Sequence, residues 1–168
     1  MSLSLVVAVA EGNAIGFQGD MPWGRSLKPD LRRFKAITLG HPVIMGRKTW
    51  DSLGGKPLAG RTNIVVSRSA LSLPDGVLAA ASLDAALQAA AQAPGGEEAM
   101  LIGGGQLYAE ALPRASRIYL TKVLKAFEAD TFFPTLSPAD WAAMGQARGR
   151  AGDLAYEFLT LQRAKIAV

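Results

Sequence analysis

The run Pro42-Val43-Ile44-Met45-Gly46-Arg47-Lys48-Thr49-Trp50 holds the end of a strand, a turn and the start of a helix. Three apolar residues, two of them β-branched, lead into a glycine, and the residues after it suit a helix. A helix start of this kind presents unpaired N-H groups, and two cations and the Thr49 hydroxyl stand beside them, which is what phosphate recognition needs. Exposed basic residues at any strand end would look the same, so at this point both readings stand.

Working outward, similar apolar runs occur at Leu5 to Val9, Asn63 to Val66, Ala99 to Ile102 and Arg117 to Val123. Helical patterns separate them: Pro29 to Leu39, Lys48 to Leu53, Ser82 to Gln92 and Gln106 to Leu112. Pro29 suits a first helical position and Ser82 an N-cap. The alternation predicts an α/β domain with a largely parallel sheet. Tyr156 to Gln162 alternates apolar and polar residues and follows no helix, so it is expected to be antiparallel and to make the sheet mixed. No internal repeat or linker interrupts the order, and 168 residues fit one domain, 1–168.

With 49% hydrophobic and 19% charged residues, the composition is that of a folded globular chain. The absence of cysteine excludes disulfides, thiolate metal sites and a thiol nucleophile, and it fits a reducing, cytoplasmic setting. One histidine, His41, cannot form a dyad or a metal cluster, so no metal is expected. The run Leu3 to Ala10 is too short to span a bilayer and lacks the flanks of a signal peptide, so no membrane partner is expected. A net charge of +4 is carried by scattered Lys and Arg without interleaved aromatics, which argues against nucleic acid and suits a small polyanionic ligand. Nothing in the chain demands more than a monomer.

Asp30 is the sharpest anomaly. At ~100° per residue, Asp30, Leu31, Phe34, Ile37 and Thr38 fall on one face of the helix, with Arg32, Arg33 and Lys35 off it. An inward carboxylate must be paired, hydrogen-bonded or neutralised, which suggests a use, although a first-turn acid can also simply cap its helix. Gly103-Gly104-Gly105 after Ala99 to Ile102 lets backbone approach an anion closely, without the dinucleotide fingerprint, because Tyr108 stands where that motif needs a small residue. Ser67 and Arg68 follow a third strand end. Because open α/β sheets bind ligands beyond the carboxyl ends of their strands, these groups are expected to gather with Arg47 for a nucleotide. Gly12 to Leu27 has no period and is expected to be a lid, and Arg61 is either a solvated charge or a fork for a carboxylate.

Taken together, Ala8, Ile15-Gly16, Met21-Pro22-Trp23, Asp30 to Lys35, Pro42 to Trp50, Leu58 to Asn63, Ile102 to Tyr108, Tyr119 to Thr121 and Asp130 to Pro134 resemble the bacterial dihydrofolate reductases over nearly the whole chain. The resemblance implies a three-layer α/β/α fold with an eight-stranded, mostly parallel sheet, an antiparallel C-terminal strand and about four helices. It implies NADPH as cofactor, dihydrofolate as substrate, binding of diaminopyrimidine and pteridine antifolates, and a place in one-carbon metabolism. A riboflavin-pathway reductase of the same fold and a non-catalytic NADPH-binding protein are the alternatives.

Carried over by residue, the resemblance makes Asp30 the pterin acid, with Thr121 behind it and Met21 and Trp23 in the lid as catalytic neighbours. Val6, Val7, Leu31, Phe34, Leu53, Leu58, Ile102 and Tyr108 would line the substrate, and Arg61 would clamp its α-carboxylate. Ala8, Ile15 and Gly16 would flank the nicotinamide. Thr49 and Gly103, Gly104, Gly105 and Gln106 would hold the pyrophosphate, with Gly46, Lys48, Ile102, Leu107 and Tyr108 nearby. Arg47, Ser67 and Arg68 would take the 2'-phosphate. Asp130 is implied to steady the lid near Gly16, and the Gly103-Gly104 peptide to be cis.

Overall fold

The computed structural model describes residues 1–164. Short apolar runs form the buried strands, and β-branched residues among them, such as Val6, Val7, Val43, Ile44, Ile64, Val65 and Val66, pack well on a pleated surface. In chain order the elements are β1 (Ser2–Val9), β2 (Ala14–Gly16), α1 (Lys28–Thr38), β3 (Val43–Gly46), α2 (Arg47–Ser52), β4 (Asn63–Val66) and β5 (Leu78–Ala80). There follow α3 (Leu83–Ala91), β6 (Glu98–Leu101), α4 (Gly105–Ala111), β7 (Arg117–Val123), β8 (Thr131–Phe132), β9 (Trp141–Ala151) and β10 (Leu154–Arg163).

The main sheet has eight strands in the order β5-β4-β3-β6-β1-β7-β10-β9. Its first six positions run parallel, while β10 pairs antiparallel with β7 and with β9. The expected mixed sheet and antiparallel C-terminal strand are therefore present, and the four helices match their predicted stretches to within a residue or two at each end. Ser82 caps α3 by accepting a hydrogen bond from the Ala85 N-H at 3.0 Å. Pro29 occupies the first turn of α1, where its missing N-H leaves no bond unmade.

Both faces of the sheet are covered. One core contains Leu3, Leu5, Ile44, Ile64 and Ile118 under α3 and α4, and a second contains Val43, Met45, Val65, Met100 and Trp50, with Phe34 and Ile37 of α1 packed against it. That sandwich of helix, sheet and helix is the layered arrangement the resemblance implied.

Two expectations about the chain's organisation need correcting. Gly12 to Leu27 is not structureless: it contains a short 3-10 turn at Glu11–Asn13, and β2 pairs with β8 in a separate two-stranded sheet. β9 was not anticipated at all, because Trp141 to Ala151 is rich in Ala, Gly and Arg and carries no alternation to read.

The sheet interior sets the stability of the whole. Ile44 is fully buried, whereas Leu124 is half exposed in the β7 to β8 connection. Ile44→Ala is expected to cost about 2–5 kcal/mol in urea unfolding. Leu124→Ala should change it by less than about 0.5 kcal/mol.

Candidate active site

The six parallel strands point their carboxyl ends to one edge of the sheet, and a cleft of about 640 Å³ opens there. Its walls come from distant parts of the chain. β1 supplies Val6, Val7 and Ala8, α1 supplies Asp30, Leu31, Arg33, Phe34 and Ile37, and β7 supplies Tyr119 and Thr121. The segment after β6 supplies Ile102 to Gly105, and Lys48, Thr49, Ser52, Leu53 and Leu58 close the far side. Leu31 is 38% exposed in this state because its side chain lies on the open cleft rather than in the core.

Asp30 does not cap its helix. Its Oδ1 accepts a hydrogen bond from the Thr121 hydroxyl at 2.6 Å, across from α1 to β7, and no side chain caps the start of α1. Burial pushes the Asp30 carboxyl above the ordinary carboxylate range, while the Thr121 hydrogen bond and the Arg33 charge pull it down. Desolvation wins because the charged form loses its water in a largely apolar cleft. The result is a carboxyl able to hold or release a proton closer to neutrality than a surface acid can.

Beside it, the glycine run takes a backbone path that a side chain would block. The Gly103-Gly104 peptide is cis, and Gly103 adopts a φ of 133° that L-residues rarely reach. A Cβ at Gly103 would lie 3.1 Å from the Thr49 hydroxyl of α2, tighter than ordinary contact, and one at Gly46 would lie 3.7 Å from the Gly104 nitrogen, so the end of β3 passes close to this turn. The Gly46 N-H donates to the Gly103 carbonyl at 2.8 Å and seals that contact. The first N-H groups of α4 have no intrahelical acceptor and are available to an anion, with Lys48 and Thr49 on the same wall. Tyr108 braces the turn from below: its hydroxyl donates to the Val6 carbonyl at 2.6 Å, and burial pushes the phenol well above its usual pKa.

The segment before α1, expected from the sequence to be a lid, forms the remaining side, with Ile15, Gly16, Gly19, Asp20, Met21 and Arg25 facing the cleft. Asp130 fastens it. Its N-H donates to the Gly16 carbonyl at 2.9 Å, and its Oδ2 accepts from the Gln18 N-H at 2.9 Å. That second bond holds the Asp130 carboxyl below the ordinary carboxylate range.

Several expected site residues stand apart from the cleft wall. Trp23 is 7% exposed and packs edge-on to Phe127 in a small apolar cluster behind the lid. Leu107 turns into the core under the sheet, so that only its backbone can serve a ligand. Gly46 and Gln106 lie next to the wall without forming it, and Ser67 and Arg68 follow β4 two strands farther along the same edge. Arg47 is exposed and lies 3.9 Å from Asp51. Arg61 is held by the Ala59 carbonyl at 2.9 Å and the Thr38 hydroxyl at 3.0 Å, at the C-terminal end of α1 and off the cleft lining.

One residue was placed wrongly from the sequence. Arg33 was put off the inward face of α1, yet its guanidinium reaches into the interior and lines the cleft. On the helical projection it lies about 60° from Asp30, at the border of the apolar stripe. A long arginine stem can carry its charge back over such a border. Tyr119, Ile37 and Thr131 were also not anticipated as lining residues. Tyr119 stands two positions before Thr121 on one strand and so shares its face, a signal the period of two contains.

The family profile described as "Dihydrofolate reductase" matches residues 2–163. The dihydrofolate reductase type 3 of Salmonella typhimurium is 48% identical over 168 residues, covering 98% of this chain and all of that one. The dihydrofolate reductase of Bacillus subtilis is 38% identical, with 96% of this chain and 94% of the relative covered. Among solved structures, dihydrofolate reductase from Enterococcus faecalis complexed with NADP(H) and RAB-propyl superposes with a TM-score of 0.87 at 29% identity, covering 98% of this chain and 97% of that one. With the buried acid, the glycine turn and the lid all in place along one sheet edge, the chain belongs to the dihydrofolate reductase family.

Proposed function

We propose that this chain reduces 7,8-dihydrofolate to 5,6,7,8-tetrahydrofolate with NADPH, and so feeds one-carbon metabolism and thymidylate synthesis. The observation that carries the reading is the Asp30 carboxyl on the inner wall of the cleft, bonded to Thr121 at 2.6 Å and raised toward neutrality by burial. An aminopterin offers an amidine edge of N-H donors, which a carboxylate matches with two parallel hydrogen bonds. Neither a riboflavin-pathway pyrimidine nor a non-catalytic role is favoured: the relatives are dihydrofolate reductases and the cleft is intact.

The residues present fit NADPH. A backbone cradle that a Cβ at Gly103 would crowd, an α4 start with free N-H groups, and Thr49 and Lys48 alongside suit a pyrophosphate. In our reading Gly104, Gly105, Gln106 and the backbone of Leu107 complete that cradle, with Gly46, Ile102 and Tyr108 shaping it. Ala8, Ile15 and Gly16 flank the nicotinamide, and Arg47, Ser67 and Arg68 take the 2'-phosphate farther along the edge. NADPH supplies the hydride, delivered from nicotinamide C4 to pterin C6.

The chain's own task is to hold, to exclude water and to supply a proton. Val6 and Val7 bear on the pterin, while Leu31, Phe34, Leu53, Leu58 and Ile102 enclose the rest of the substrate. Arg61 clamps the α-carboxylate of its glutamate. Met21 closes over the ring from the lid, and Trp23 supports the lid from behind. Asp30, assisted by Thr121, promotes protonation at pterin N5, directly or through a water it polarises. The same cleft binds antifolates of the diaminopyrimidine and pteridine type, because they present the same donor edge. Residues 1–168 act as one domain, as a cytoplasmic monomer with neither membrane nor nucleic acid as partner. No helix among the described residues is long and apolar enough to cross a membrane.

The direct test is NADPH oxidation followed by nicotinamide absorbance, with and without dihydrofolate, and again with an aminopterin inhibitor. Oxidation that does not depend on dihydrofolate would overturn the assignment. Asp30→Asn is expected to lower turnover at neutral pH by about 10²–10⁴-fold, the range for a positioned acid, and to lose less in acid, where solvent can supply the proton.

The same substitution should act on stability in the opposite direction. A carboxyl raised in the folded state disfavours folding once it ionises, a cost absent below its ordinary unfolded value and complete above the raised folded one. Asp30→Asn is therefore expected to melt at a higher temperature than wild type at neutral pH, with the difference vanishing in acid. Differential scanning calorimetry across that pH range checks it.

A further inference from the structure

Arg33 carries a charge into the interior of the molecule, and the reaction as read above gives it no task. Its Nη1 donates to the Leu120 carbonyl at 3.0 Å and, more weakly, to the Thr121 hydroxyl at 3.4 Å. Its Nη2 donates to the Leu159 carbonyl at 3.0 Å, and the guanidinium carbon lies 4.7 Å from the centre of the Phe158 ring. The fork is thus clamped between β7 and β10 on one side and α1 on the other. A guanidinium has only donors, so the Thr121 oxygen can only accept from it. The single proton of that hydroxyl must then point the other way, where Asp30 Oδ1 lies 2.6 Å off.

We propose that Arg33 is a positioning residue for Asp30: it fixes the Thr121 hydroxyl as a donor to Oδ1 and, through its charge, favours the carboxylate form. The other carboxyl oxygen is left as the atom that exchanges a proton. This rests on the reductase reading for its kinetic consequence but not for its geometry. Among the described residues, the nearest other charges are Glu98 and Arg117, which offset each other at 3.8 Å on the far side of the Tyr119 hydroxyl, itself an acceptor from Arg117 at 3.1 Å. Tyr119 on β7 donates to Glu98 at 2.9 Å, Tyr108 on α4 donates to Val6, and burial keeps both phenols neutral. β1 offers only the apolar Val6, Val7 and Ala8 to the cleft, and β10 meets the guanidinium with the Leu159 carbonyl and the Phe158 ring. The charged residues at the mouth, Asp20, Arg25, Lys48 and Asp130, are exposed to solvent, which screens them.

The consequence is directional. Without the cation the carboxylate loses its stabilising neighbour, so Asp30 should keep its proton to higher pH. The experiment titrates Asp30 in ligand-free enzyme carrying carboxyl-labelled aspartate, in wild type, Arg33→Met and Arg33→Lys, and measures the pH dependence of single-turnover hydride transfer in the same proteins. The midpoint should move to higher pH in Arg33→Met and less in Arg33→Lys, which keeps the charge but not the planar fork. The falling limb of the rate should follow, with little change in KM for dihydrofolate. If Arg33→Met does not fold, Arg33→Gln retains donors without charge and must show the same upward shift. An unmoved midpoint in the uncharged variant overturns the proposal, and so does a raised KM with an unmoved pH profile, which would make Arg33 a substrate contact. Should the wild type prove inactive on dihydrofolate, the reductase reading fails, while the ligand-free titration still decides the role of Arg33.

Discussion

The hydrogen bond from Thr121 to Asp30 spans 91 residues of chain and ties the first helix to the seventh strand. An acid stripped of most of its water on a cleft wall needs a partner, because a desolvated carboxyl left unsatisfied costs more than most single contacts return. The partner arrives only when β7 has paired with β1 on one side and β10 on the other. The chemistry of the cleft therefore cannot assemble on a partly formed sheet. Leu27, buried directly before α1, anchors the start of the helix so that Asp30 meets its strand in register.

From that constraint follows a division of labour along the sheet edge. The acid, its hydroxyl partner and the glycine turn are carried by strand ends and by helices packed on two cores, where side chains have few alternatives. The lid is carried by a two-stranded sheet and by a few surface hydrogen bonds between Gly16, Gln18 and Asp130. The contrast between a firmly packed wall and a weakly tied one is the distribution expected wherever a ligand must enter a site that later excludes water.

Much of this was legible in residues alone, for definite reasons. Short apolar runs bounded by turn residues have few structural solutions, so β1, β3, β4 and β7, which are rich in β-branched residues, and β6, which is apolar without them, could be placed together with the helices between them. Asp30 stood out because a carboxylate on an apolar helix face is a contradiction that only a buried partner resolves. Other features left no trace. β9 is mostly exposed, so nothing selected for alternation in it. Arg33 was misplaced because a helical projection locates Cβ atoms and not the end of a flexible stem. Arg47, Ser67 and Arg68, which we propose for the 2'-phosphate, follow the strand ends expected of them, but strand ends alone do not say how far along the edge a cleft extends.

Among the described residues, β9 closes one margin of the eight-stranded sheet and pairs only with β10, leaving a row of backbone donors and acceptors unpaired beside the exposed Met144. Such a margin is a template for a second copy to add a strand. The register shift opposite Thr160 and Leu161 breaks the flatness that stacking needs, and the exposed Arg150 adds a charge near the end of the strand, whereas Arg148 is paired with Glu157 at 2.8 Å. The margin most open to such pairing thus lies remote from the acid and the glycine turn, so that changes made to blunt it need not touch the cleft.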